Sequence, residues 1–278
     1  MRRHRFFWIG KTLIVTFVAI ALAAVVGCQK TESQEGGSGK GSAAKAPKPA
    51  PKPASTRGAT QPATTQPTTS KPAVAKGDLV PISLTLPKPR FSGTPRQVPP
   101  GTRIKPTKGP AKSRPDFLAP KGTKNVALGK AVTASDTEPV IGTHDLVTDG
   151  SKEAVEDAYV ELGPEVQWVQ VDLGAKYKIY AIVVWHEHKD ARVYKDVVLQ
   201  LGEDKDFIAN VQEVFNSDHD NSAGLGLGED WEYFETNEGK LVDCKGKVAR
   251  FLRLYSNGST ADDLNRYTEV EVYGLPAE

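Results

Sequence analysis

Two stretches of this sequence hold most of its chemically capable side chains. The run Trp185-His186-Glu187-His188-Lys189-Asp190-Ala191-Arg192-Val193-Tyr194 puts two imidazoles, a guanidinium and a phenol at the end of an apolar, strand-like segment. Histidines at i and i+2 of an extended chain point the same way. That spacing suits hydrogen bonds to a sugar, a purely structural hydrogen-bond network or a transition-metal pair. The second stretch, Asn216-Ser217-Asp218-His219-Asp220-Asn221-Ser222-Ala223-Gly224-Leu225-Gly226-Leu227-Gly228, is a polar loop punctuated by glycine. Asp218, Asp220 and Asn221 resemble half a calcium loop, but the closing Glu of an EF-hand does not follow. No Lys-Ser or Lys-Thr follows the glycines either, so they do not form a phosphate cradle. Just beyond stand Trp231 and Tyr233. Planar donors and acceptors for paired hydroxyls, with an aromatic face for the apolar side of the ring, are what carbohydrate recognition requires. His186, His188, Arg192, Tyr194, Asn221 and Trp231 are therefore the candidate ligand-binding residues, expected together at one loop end. Catalysis has no comparable support: there is no Gly-x-Ser-x-Gly elbow and no His-Glu-x-x-His pair. Adjacent acids such as Asp262-Asp263 and Glu229-Asp230 read as solvated loop carboxylates, so no enzyme is expected.

These side chains need a scaffold, and residues 121–278 contain the pattern of one. Strand-length runs rich in β-branched and aromatic residues cover 168–173, 179–185, 193–201, 248–255 and 268–273, and no longer segment shows helical periodicity. Short strands without intervening amphipathic helices predict an all-β, antiparallel sandwich. In the first run Val169, Val171 and Leu173 face the core and Trp168, Gln170 and Asp172 face away, with Gly174 placed to turn the chain into the next strand. Arg250 and Arg253 frame Phe251, Leu252 and Leu254 and read as sheet-surface ion pairs.

Charge and proline divide the chain. Residues 1–120 hold 20 Lys+Arg against 4 Asp+Glu, and residues 121–278 hold 16 against 30, so a formal net charge of +2 conceals halves of +16 and −14. Seventeen of the twenty prolines lie between Pro47 and Pro120. The first half resists a packed core, whereas the second, at about 155 residues, can bury roughly 70% of its unfolded surface in one domain. An acidic domain surface disfavours nucleic acid as a partner. Cys244 has no second cysteine in the domain and reads as a buried structural thiol.

Arg2, Arg3 and Arg5 precede an apolar stretch over 12–26, and Val25-Val26-Gly27-Cys28 follows. This is similar to a bacterial lipoprotein signal with its lipobox. The resemblance implies cleavage before Cys28, lipid on its sulfur and its new amino group, and a stable membrane anchor, because several acyl chains hold where one binds only marginally. Gln29 stands where an Asp would resemble an inner-membrane retention signal, so the outer membrane or cell surface is the expected location. Residues 28–76, rich in Pro, Ala, Lys and Thr and lacking aromatics, predict a disordered tether. Residues 77–120 are also proline-rich, but the stretch 79–86 alternates in part and Phe91, Ile104, Phe117 and Leu118 are scattered apolar anchors, predicting a partly ordered arm lying along the domain.

Five blocks then occur in order: Asn125-Val126-Ala127-Leu128-Gly129-Lys130-Ala131-Val132-Thr133-Ala134-Ser135, Leu146-Val147-Thr148-Asp149-Gly150, Trp168-Val169-Gln170-Val171-Asp172-Leu173-Gly174, Ala249-Arg250-Phe251-Leu252-Arg253-Leu254-Tyr255 and Glu269-Val270-Glu271-Val272-Tyr273-Gly274. Together they resemble a discoidin domain, also called the coagulation factor type C domain, of the superfamily that includes family-32 carbohydrate-binding modules. The resemblance covers all of 121–278 and implies a galactose-binding-like jelly roll that binds glycan, such as a cell-envelope polysaccharide, through loops at one end. It also implies a structural calcium held by Asp149 and Glu269 with carbonyl oxygens near Leu146 and Ser151. Ala154 and Glu156 stand near positions where the family often has Thr and Trp, and a metal-free hydrogen-bonded turn is the alternative. A structural role, docking to an envelope protein partner, is the alternative to glycan binding.

The lipobox yields a direct test. Radiolabelled palmitate is expected to enter the chain and to be absent from Cys28→Ser; label persisting in that variant would refute lipidation at this residue.

Overall fold

The structure is a computed structural model that describes residues 79–277 apart from 94, 96 and 107–111. The signal segment, Cys28 and the 28–76 tether lie outside the described residues. Ten strands follow in order: β1 Leu79–Pro81, β2 Leu118–Pro120, β3 Lys124–Asn125, β4 Ala131–Ala134, β5 Val160–Leu162, β6 Gln167–His186, β7 Val198–Gly202, β8 Gln212–Asn216, β9 Lys240–Ser256 and β10 Asn265–Pro276. The helical segment among the described residues is a single 3-10 turn, His144–Thr148. All strand pairs are antiparallel, so the all-β sandwich expected from the strand spacing is what the chain forms.

Three long, bent strands make the sandwich. Residues 167–172 of β6 pair with 251–256 of β9, with β4 on the other side and β7 and β8 beyond β9. Residues 177–184 of β6 pair instead with 240–249 of β9, and on their other side with β10, which also carries β3 and β5. β6 and β9 thus run through both layers, whereas β10 pairs within the second. Val169, Val171, Leu252 and Leu254 from the first layer meet Ile182, Val184, Val270 and Val272 from the second in one buried core.

The structure corrects the sequence expectation at four points. The runs 168–173 and 179–185 are one strand: Gly174, at φ +80, makes a bulge opposite Arg250 and does not reverse the chain. Asp172 holds the bulge, accepting from Gly174 N at 2.8 Å and from Arg250 Nε and Nη2 at 2.7 and 2.8 Å. Arg253 is not in an ion pair. It donates to Gln170 Oε1 and lies over the rings of Trp168 and Phe207 at 4.4 and 4.3 Å. The run 193–201 becomes a strand only at Val198, because Asp196 at φ +52 leaves the extended region. The first half of β9 was hidden in the sequence by Lys245 and Gly246, at φ +54 and +73, which form a second bulge.

The second layer is apolar on both faces. From Ala181 to His186 every residue of β6 is buried. Ile182 and Val184 enter the main core, while Ala181, Val183, Trp185 and Tyr273 form a second cluster under Ile82, Leu84, Phe117 and Leu241. The proline-rich segment therefore works as a cover. Its edges are held by backbone and side-chain bonds: Ile82 N to Phe117 O at 3.0 Å, the Tyr273 hydroxyl to Ser83 O at 2.8 Å and Asn237 Nδ2 to Pro87 O at 3.0 Å. Gly239 is required beneath it, since a Cβ there would stand 2.6 Å from the Trp185 ring at φ +62. Cys244 is buried in the main core, and burial pushes its thiol up to about 12.

Each large apolar side chain removed from water contributes about 1.5–3 kcal/mol. A chain beginning at residue 121 is accordingly expected to unfold at clearly lower denaturant concentration than one beginning at residue 77. Coincident unfolding curves would show that the cover contributes nothing.

Candidate functional site

At the end of β6 the chain enters a buried polar cluster. His186 stacks on Tyr194, with ring centroids 4.3 Å apart and planes 18° apart, and its Nδ1 lies 2.6 Å from Glu235 Oε1. His188 Nδ1 is 3.1 Å from the carbonyl oxygen of His186. Arg192 places Nη1 2.7 Å from Glu187 Oε2 and Nη2 3.4 Å from Asp190 Oδ2. His186, Glu187, His188, Arg192, Tyr194 and Glu235 are all buried, Arg192 the least so at 6% exposure. Burial holds the Tyr194 phenol well above its ordinary range.

This placement corrects the expectation that His186, His188, Arg192 and Tyr194 line an open loop end. The loop after Trp231 folds back over them: Glu235 N donates to Arg192 O at 2.8 Å while its carboxylate reaches His186. Buried charge is tolerated when it is paired, and here Glu187 is set against Arg192 and Glu235 against His186. The four side chains are thus enclosed, and His186 Nε2, His188 Nε2, Arg192 Nε and the Tyr194 hydroxyl have no hydrogen-bond partner among the described residues. Glu187 and Glu235 were the overlooked members. Glu187 was visible between the two histidines, but Glu235 is 49 residues from its partner and no local pattern connects them. The two imidazoles share no third metal ligand; among the described residues the one such grouping of three is Asp196, Asp218 and Asp220.

Asp218 and Asp220 belong to the glycine-punctuated loop, and Asp196 reaches it from just before β7. Asp218 accepts from Ser222 N at 3.0 Å and Ala223 N at 2.9 Å, and Asp196 accepts from Ser222 Oγ at 2.6 Å. The carboxylates thereby organise the loop's own backbone. Asn221 sits exposed at φ +62, and its side-chain oxygen accepts from Gly226 N at 2.7 Å, so that acceptor is engaged within the loop. Gly228 passes so close to Asn216 that a Cβ would stand 2.3 Å from the Asn216 carbonyl oxygen.

Trp231 is the expected ligand residue that presents a large aromatic surface, being 40% exposed. It stands at a groove of about 660 Å³ between the loop 230–240 and the arm. One wall is Trp231, Tyr233 and Phe234; the other is Pro95, Val98 and Ile104. The arm is laced to the loop there: Glu232 N donates to Arg103 O at 3.0 Å, Arg103 N donates to the Glu232 carboxylate, and the Arg103 guanidinium lies 4.9 Å from the Trp231 ring. Lys240 holds its ammonium over Phe215 and Tyr233, at 4.5 and 4.9 Å, and burial lowers its pKa. Reading the arm only as a proline-rich segment concealed that it supplies one wall of this groove.

At the far side of the second layer, the Asp149 loop meets β10. Gly150 N donates to Glu269 Oε2 at 3.1 Å, and Ser151 N donates to Asp149 Oδ1 at 2.7 Å. Glu269 is fully buried, its Oε1 has no hydrogen-bond partner, and burial followed by the charge of Glu271 and Asp149 pushes its carboxyl up to about 9. Lys152, which also lies near, is spent on Glu271 at 2.6 Å. A buried carboxylate oxygen facing a second carboxylate without a cation of its own fits a hard divalent ion.

The chain is thus an antiparallel β-sandwich with a covered second layer, an aromatic groove and an acidic junction between its ends. No protein-family model and no curated protein matches the sequence. Among solved structures it is similar to a family 89 glycoside hydrolase from Clostridium perfringens (21% identity, TM-score 0.42), with the match covering 55% of this chain and 15% of that one. It is also similar to the CBM32 of AlyQ in complex with 4,5-unsaturated mannuronic acid (21% identity, 51% of this chain and 92% of that, TM-score 0.38). A third is a Streptococcus pneumoniae fucose-binding module (18% identity, 54% and 98%, TM-score 0.39).

Proposed function

We propose that the protein is a non-catalytic, lipid-anchored protein of the outer membrane or cell surface whose discoidin-like domain binds carbohydrate. The observation carrying this reading is the exposed face of Trp231 in a groove walled by further aromatic and proline rings. A pyranose ring offers an apolar C–H face to such a surface, while its hydroxyls need the polar groups at the rim. The groove replaces the loop end first expected, since His186, His188, Arg192 and Tyr194 are enclosed. Lipid at Cys28 would hold the domain at the membrane, with the intervening proline-rich residues as spacer.

In the same reading a calcium ion is held by the Asp149 and Glu269 carboxylates with carbonyl oxygens near Leu146 and Ser151. The ion would supply the charge that Glu269 lacks and fasten the loop to β10; it takes no part in a reaction.

Two measurements test these parts separately. A glycan array probed with the purified chain is expected to return a sugar whose binding weakens by about 1–3 kcal/mol in Trp231→Ala. An unaltered affinity in that folded variant would move the site away from the groove. Calcium at one hundred times its dissociation constant is expected to add about 2.7 kcal/mol to the stability of the domain. Glu269→Gln should abolish that response, and a wild-type melting temperature indifferent to both calcium and chelator would remove the ion.

A further inference from the structure

The charges around the Trp231 groove run against those of the domain that carries it. Residues 121–278 hold 16 Lys+Arg against 30 Asp+Glu, yet Lys105 and Lys240 are among the residues that line the groove. Neither has a salt-bridge partner among the described residues, where the paired lysines are Lys152, Lys176, Lys189 and Lys205. Lys105 is exposed on the arm, and Lys240 stands half-buried against the faces of Phe215 and Tyr233.

The carboxylates that line the groove are committed elsewhere. Asp230 Oδ2 accepts from Asn216 N at 2.8 Å, and the buried Glu232 accepts from the backbone of Arg103. Arg103 is committed in its turn: its guanidinium reaches the carbonyls of Gly228 and Glu229 at 3.4 and 3.3 Å. Among the described residues of the groove, Lys105 and Lys240 are the two cations outside a salt bridge, one contributed by each wall, with the charges of Asp230 and Glu235 also acting on Lys240. An unpaired ammonium partly removed from water gains more from an anion than one on an open surface, because the surrounding medium screens it less.

We propose that the groove takes an acidic glycan, a chain whose sugar rings carry carboxylate or sulfate groups. The inference rests on the carbohydrate-binding reading and adds the substrate class. Trp231 stacks on the ring face; Lys105 and Lys240 meet the anionic substituents. A lysine is a point charge without the planar fork that selects a carboxylate, so both kinds of acidic group share this chemistry. The domain's negative surface sets a limit on the charge density tolerated beyond the groove, which favours a chain with apolar ring faces over a nucleic acid.

The test uses the full chain in detergent, titrated by calorimetry with polygalacturonate, carrageenan, neutral galactan and a single-stranded oligonucleotide. The acidic glycans are expected to bind, with affinity falling as salt rises, and to weaken about tenfold in Lys105→Gln and again in Lys240→Gln. Which of the two binds identifies the acidic group. Lys105 is exposed, so its variant keeps the test valid if Lys240→Gln proves unstable. Binding of neutral galactan alone, dependent on Trp231 and unchanged by Lys105→Gln, would overturn the acidic class and leave carbohydrate binding intact. No binding of any glycan would overturn both, and equal binding of the oligonucleotide would overturn glycan selectivity.

Discussion

A sheet layer with no polar face is the constraint on which the rest of this structure depends. Ile182 and Val184 on one side of β6, and Ala181, Val183 and Trp185 on the other, both have to leave water. The sandwich provides one cover through its opposite layer. The other cover comes from the proline-rich arm, whose Ile82, Leu84 and Phe117 are spaced so that irregular backbone lays them on the sheet. Proline suits such a cover because it has no N–H to leave unsatisfied and a restricted backbone to order.

The arm's second consequence is functional. Once it crosses the layer it continues past the loop 230–240, and the lacing of Arg103 to Glu232 fixes a groove between them. The cover of the sheet and one wall of the groove are thus contributed by the same segment. The loop has an equally double role, since Glu235 points inward to seal His186 while Trp231 points outward. Loops held by a rigid scaffold are the usual place for recognition, and here the scaffold of the loop includes a segment lying more than a hundred residues away in the chain.

Paired burial explains why the most chemically suggestive run in the sequence is interior. An imidazole, a guanidinium and a phenol close together look like a binding site when read as a list. Glu187 and Glu235 set one carboxylate against Arg192 and one against His186 in the interior, while His186 Nε2, His188 Nε2, Arg192 Nε and the Tyr194 hydroxyl have no hydrogen-bond partner among the described residues. Lys105 and Lys240 differ in that neither makes a salt bridge among the described residues.

By itself the sequence determined the sheet class, the alternation of Val169, Val171 and Leu173 into the core, the buried Cys244 and the meeting of the Asp149 loop with Glu269. All of these rest on period-two patterning, on local chemistry or on ordered blocks that survive as linear signals. Its composition also separates a basic, proline-rich half from an acidic one. Tertiary structure alone decided that β6 is one strand bulged at Gly174, because a glycine at positive φ permits either a turn or a bulge and only the partner strand selects. It alone placed Glu235 on His186 and the arm against Trp231, contacts across 49 and more than a hundred residues. Burial is a property of what packs on top, and no residue's own type or spacing carries that information.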